Sequence, residues 1–134
     1  MSAARVARPL VRGGLRVTKT AAGQKTPAHD LQAIHRAAAS GDVSWQDSVN
    51  DDLSKFEYSV DEVLDCLQSL SVESHFRKSV DYQDGKGPFD VYVLRWRHYI
   101  ESQGSYIYEN LYIKIKLTKS GRAAFMLSFH PEGF

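Results

Sequence analysis

From Leu111 to Leu117 the chain alternates without a break: Leu111, Ile113, Ile115 and Leu117 are aliphatic, and Tyr112, Lys114 and Lys116 stand between them. A period of two puts the aliphatic set on one face of a strand and the tyrosine and lysines on the other, which an amphipathic helix would not do. The segment therefore demands a sheet with one covered side and one open side that is aromatic and cationic.

The charge distribution follows the same division. Residues 75 to 134 hold nine Lys and Arg against six acids, whereas residues 30 to 74 hold two against ten. A basic sheet joined to an acidic half points to a polyanionic ligand on the sheet. The formal net charge of +1 conceals this, because residues 1 to 25 carry six bases (Arg5, Arg8, Arg12, Arg16, Lys19, Lys25) and no acid, leaving eleven bases and sixteen acids in 26–134. With Pro9, Gly13-Gly14 and little that can pack, 1–25 reads as a basic flexible tail, and 26–134 as one folded domain. An acid-free, Arg-rich start also has the composition of an organellar transit peptide or of an RNA-binding arm, but composition is all that supports either.

No run approaches the roughly 18 to 20 apolar residues that cross a bilayer, so no membrane role is expected. The single cysteine, Cys66, excludes an internal disulfide and a Cys-rich zinc site, and it reads as a small core residue. His29, His35 and His75 lack metal-ligand spacing, and Gly85 to Gly87 lacks the strand-to-helix setting of a phosphate-cradling loop.

Before Ser74 the period is helical. Asp30 is a suitable N-cap for a helix running to about Ser40 and ended by Gly41. A second stretch after Ser44 places Trp45, Val49, Leu53 and Phe56 on one face, and Ser59-Val60-Asp61-Glu62 is a capping box opening a third, with Val60, Val63, Leu64, Leu67 and Leu70 at helical spacing. After Ser74 the turn signals Asp84 to Pro88, Ser102 to Ser105 and Ser120-Gly121 separate four strands, at about 75–82, 89–101, 106–117 and 122–130. Helices followed by a meander of short-turned strands predict an α+β fold, an antiparallel sheet of about four strands with the helices on one face.

Several segments in order carry a resemblance. Lys25-Thr26-Pro27-Ala28-His29-Asp30-Leu31, Phe76-Arg77-Lys78-Ser79, Asp90-Val91-Tyr92, Leu111-Tyr112-Ile113-Lys114-Ile115 and Leu127-Ser128-Phe129-His130 resemble the MqsR toxins of bacterial type II toxin-antitoxin modules, over about residues 25 to 134. The resemblance implies a RelE-like fold and a cytoplasmic, metal-independent endoribonuclease that cleaves messenger RNA without a cofactor. It also implies a cognate antitoxin as partner, MqsA-like or of another type. By motif, the family's catalytic lysine falls on Lys78 and its tyrosine on Tyr112. Its glutamine falls on Phe89, which has no hydrogen-bonding group.

The chemistry can be stated from the residues alone. Metal-free cleavage needs the RNA 2′-OH deprotonated, the pentavalent phosphate stabilised and the leaving 5′-oxygen protonated. Lys78 and Arg95 suit charge stabilisation, and a lysine can also act as base. Tyr112 suits orienting the 2′-OH or stacking on a base, and Lys114, Lys116 and Tyr92 suit contacts with the flanking RNA. His130, ending a strand, is a candidate acid or base, alone or paired with His98. Against each stands a plainer reading, since strand lysines and arginines are usually solvated and strand tyrosines usually half-buried. The aromatic hairpin of Trp96, Tyr99, Tyr106 and Tyr108 exceeds the family's length; it can stack on bases, clamp a partner, or simply brace itself. With Phe89 in place of glutamine, the alternative is a noncatalytic RNA- or protein-binding module.

Overall fold

A computed structural model describes residues 26–81 and 87–133. The basic tail 1–25, Tyr82 at the expected end of the first strand, and the Asp84-Gly85-Lys86 turn lie outside the described residues.

Helix α1 (Leu31–Ala39) begins as its sequence requires: the Asp30 carboxylate accepts the Gln32 N–H at 3.1 Å. Gly41, at φ 74°, then turns the chain out in a left-handed conformation that costs other residues free energy. A short strand follows, β1 (Val43–Trp45). Trp45 therefore lies in a strand and not on the apolar face of a helix, with its indole N–H donating to Asn50 Oδ1 at 2.7 Å. Helix α2 (Asp47–Phe56) buries Val49 and Leu53 and ends at Glu57, a non-glycine residue at φ 62°.

Helix α3 (Val60–Gln68) is capped by Ser59, whose hydroxyl accepts the Glu62 N–H at 3.1 Å. The Glu62 carboxylate reaches across to the sheet, accepting from Trp96 Nε1 at 3.0 Å and pairing with His98 Nδ1 at 2.9 Å. Its buried face is Val63, Cys66 and Leu67, whereas Val60 is 53% exposed. Burial pushes the Cys66 thiol well above its ordinary range, in keeping with a core role. A single turn, α4 (Val72–His75), leads into β2 (Phe76–Val80), so His75 ends a helical turn where a strand was expected to start. Strands β3 (Phe89–Ile100), β4 (Ser105–Leu117) and β5 (Ala124–Pro131) complete the chain, with Arg122 just before the last.

The fold is α+β, and β2-β3-β4-β5 form the expected antiparallel meander. The sheet nevertheless has five strands and is mixed, because β1 adds beside β5 in parallel, Val43 opposite Ala124. Three residues are too few to display a period, and the partner strand lies near the other end of the sequence.

The helices cover one side of the sheet. Leu111, Ile113 and Ile115 are fully buried there with Leu94, Met126 and Phe129, against Ile34, Val49, Val63 and Leu67. Each such side chain contributes about 1.5–3 kcal/mol by leaving water. Two polar groups are buried among them. His98 stacks on Tyr58 at 3.7 Å, and its Nε2 lies 2.9 Å from the Phe56 carbonyl while Nδ1 meets Glu62. Both ring nitrogens thus have a partner. Asp90, fully buried, accepts from the Ala28 and His29 backbone N–H groups, each at 2.8 Å, and from the Ser79 hydroxyl. That carboxylate ties the approach to α1 onto β2 and β3. Among the described residues, no helix is long and apolar enough to cross a membrane.

Candidate functional site

Because Ile113 and Ile115 point to the helices, Tyr112, Lys114 and Lys116 point the other way. Cross-strand register extends this open face into rows. Lys78 on β2 pairs with Val91, Val91 with Lys114, and Lys114 with Ser128; in the next row Val93 pairs with Tyr112 and Tyr112 with His130. Two strand spacings and one row separate Lys78 from Tyr112, about 12 Å between backbones.

A bulge enlarges the basic area. Phe76 pairs with Tyr92 and Lys78 with Val91, so β2 holds one extra residue, Arg77. Phe76 keeps to the core side, 5.6 Å from the Tyr92 ring, while Arg77 and Lys78 are both exposed. Arg77 lines an open-face cleft of about 310 Å³ with Ser74, His75, Val93, Arg95, Asn110 and Glu132.

Two histidines on this side have opposite tautomers, each set by its hydrogen bond. The Nδ1–H of His130 donates to the Pro131 carbonyl at 2.8 Å, so a neutral ring presents its lone pair at Nε2, as a general base must. The ring stacks on Tyr112, centroids 5.4 Å apart and planes 18° off parallel, and Lys114 Nζ lies 5.6 Å from the Tyr112 ring centre. His75 is the reverse: Nδ1 accepts the Ser71 N–H at 2.9 Å, which leaves Nε2–H as a donor at the cleft. Burial, and then the positive charge of Arg77, hold its pKa below the usual 6.5.

This has a consequence for stability. Just below pH 6.5 the unfolded chain binds a proton at His75 that the folded chain refuses, so stability rises with pH there and is lost on acidification. Unfolding midpoints measured between pH 5 and 7 should fall toward acid. His75→Asn, whose amide oxygen can accept the same bond without titrating, should flatten part of that slope.

The structure thus brings together Lys78, Tyr112, His130 and Lys114 on one face, with Arg95 in the adjoining cleft. It separates His98 from His130, one in the core and the other on the open face, which removes the paired-histidine arrangement. Tyr92 also leaves the site. It is fully buried on the helix side, so it does not contact RNA, and among the described residues its hydroxyl has no hydrogen-bond partner. Burial drives its pKa far up. Tyr92→Phe should therefore leave open-face function intact and raise stability by about 1 kcal/mol, measured by denaturant unfolding, since a buried unpaired hydroxyl is a cost.

Phe89 is 3% exposed, and Lys116 Nζ lies 5.1 Å from its ring centre, so no polar group replaces the glutamine at that position. His75, Arg77 and Asn110 are the cleft residues that sequence reasoning missed. Simple alternation sends Arg77 inward, and only the bulge brings it out. Asn110 was within reach: pairing outward from the turn at Gly104 sets Ile100 against Ser105 and Arg95 against Asn110.

The fold and this face define an α+β protein with a cationic, aromatic sheet surface. Comparisons with protein-family models, with curated proteins and with solved structures gave no match. The likeness to the MqsR toxins accordingly rests on the sequence motifs.

Proposed function

We propose that this chain is the toxin of a bacterial type II toxin-antitoxin module, a RelE-like, metal-independent endoribonuclease acting on messenger RNA in the cytoplasm and held in check by a cognate antitoxin. The observation that carries the reading is the placement of Lys78, Tyr112 and His130 on one open face, with the His130 lone pair at Nε2. His130 Nε2 takes the proton from the 2′-OH as that oxygen bonds to phosphorus. Lys78 and the Arg77–Arg95 cleft carry the charge that builds on the phosphate oxygens. The P–O5′ bond breaks, the leaving oxygen takes a proton from the Lys78 ammonium, and the products are a 2′,3′-cyclic phosphate and a 5′-hydroxyl. Tyr112 orients the ribose or the base beside the cut, and Lys114 and Lys116 hold the flanking strand.

Phe89 supports a second reading, a module that binds RNA or a partner protein without cutting. Induced expression in bacteria separates the two. Growth arrest with shortened messenger RNA, abolished by Lys78→Ala, is expected of the ribonuclease. Unimpeded growth with folded protein present would refute the toxin reading.

A further inference from the structure

Beyond Arg95 the β3–β4 hairpin continues past the catalytic face, and its outer side is an interleaved ladder of guanidinium groups and phenol rings. Arg97 pairs with Tyr108 and Tyr99 with Tyr106. The Arg97 guanidinium carbon lies 3.6 Å from the Tyr106 ring centre, that of Arg95 5.0 Å from Tyr108, and the Tyr99 and Tyr106 rings meet edge to face at 5.0 Å. These rings are not core residues: Tyr99, Tyr106 and Tyr108 are 44%, 53% and 60% exposed.

The other side of the hairpin is fastened. Trp96 and His98 bond to Glu62, and Ile100 is buried. At the turn, the Glu57 carboxylate accepts from both the Ser102 N–H, at 3.1 Å, and the Ser102 hydroxyl. The inner side already fastens the hairpin, and the outer rings, although they pair with one another and with the guanidinium groups, leave about half of their surface in water. An exposed row of aromatic rings, Tyr106 and Tyr108 each with a guanidinium group over one side and the remaining surface in water, is the arrangement that stacks bases and pairs phosphates. It is also continuous with the site: Tyr106, Tyr108, Asn110 and Tyr112 follow one face of β4 over about 20 Å.

We propose that the outer face of this hairpin is a binding track for unpaired RNA, with bases stacked on Tyr106 and Tyr108 and the backbone held by Arg95 and Arg97. The inference deepens the ribonuclease reading and rests on it for the direction of the strand: the substrate is single-stranded RNA that lies extended along β4 on one side of the cut. Duplex RNA, whose bases offer no free faces, is excluded from the track.

The test uses purified protein and a single-stranded RNA oligonucleotide carrying 2-aminopurine, whose fluorescence falls on stacking, beside the same RNA annealed to its complement. Wild-type protein should quench the single strand and bind it more tightly than the duplex. The Tyr106→Ala/Tyr108→Ala double variant should lose about 10- to 100-fold in affinity and most of the quenching. The Tyr106→Phe/Tyr108→Phe variant, which keeps the rings, should retain both. Circular dichroism checks that the variants fold. If the alanine variant binds and quenches like wild type, the proposal is overturned and the hairpin is left as a protein-docking face. Binding that depends on the rings in a protein that never cuts RNA would uphold the track while removing the ribonuclease reading.

Discussion

Lys78→Ala should lower the rate of RNA cleavage on the order of 10²–10³-fold, the usual effect of deleting one group aimed at charge that develops in the transition state. Lys78 is exposed on β2, and its neighbours on the open face are Val91 and, one strand further, Lys114. Removing it leaves no cavity and no orphaned partner in the core, so unfolding should change little, within about 0.5 kcal/mol. The deficit should appear in the rate at saturating RNA more than in affinity, because Arg77, Arg95 and Lys114 still attract the backbone. Single-turnover cleavage alongside filter binding separates the two effects. A Lys78→Ala protein that cuts at the wild-type rate would remove Lys78 from the chemistry.

The largest structural effect is expected at Asp90. Its carboxylate, itself fully buried, satisfies the Ala28 and His29 N–H groups and the Ser79 hydroxyl at the edge of the core. Asp90→Ala removes the acceptor that these three donors share, and a loss of about 2–4 kcal/mol is expected, since the part-exposed Ala28 and His29 N–H groups can turn to water. Denaturant unfolding measures it. Amide exchange should show the opening concentrated at residues 26–31 and along β2, where the carboxylate joins them. A loss below 1 kcal/mol would mean that water replaces the carboxylate and that the segment entering α1 is held by other contacts.

How far the sequence spoke depended on how local the signal was. The helix caps at Asp30 and Ser59 and the alternation through β4 are contained in a few adjacent residues, and the structure has them where those residues put them. Strand β1 could not be read, because it is three residues long and its sheet partner is β5, near the other end of the sequence. The same limit applied to the site. Lys78, Tyr112 and His130 lie on one face because alternation and hairpin pairing place them there, whereas Arg77 depended on a bulge. Tyr92 was misplaced for a simpler reason. Its motif neighbour Val91 pairs with Lys78 on the open face, and in a strand the next residue must face the other way. The histidines show what only three dimensions supply: the Pro131 carbonyl and the Ser71 N–H decide which nitrogen of His130 and His75 carries hydrogen.

The central claim is the metal-independent cutting of RNA through its own 2′-oxygen. Its most direct test is to incubate the purified, antitoxin-free protein with a defined messenger RNA in EDTA and map both ends created at every cut. Upstream fragments ending in 2′,3′-cyclic phosphate and downstream fragments beginning with 5′-hydroxyl, absent with Lys78→Ala, are predicted. RNA left intact by folded wild-type protein, with ribosomes present as well as absent, would contradict the account and establish the open face as a surface that binds without cutting.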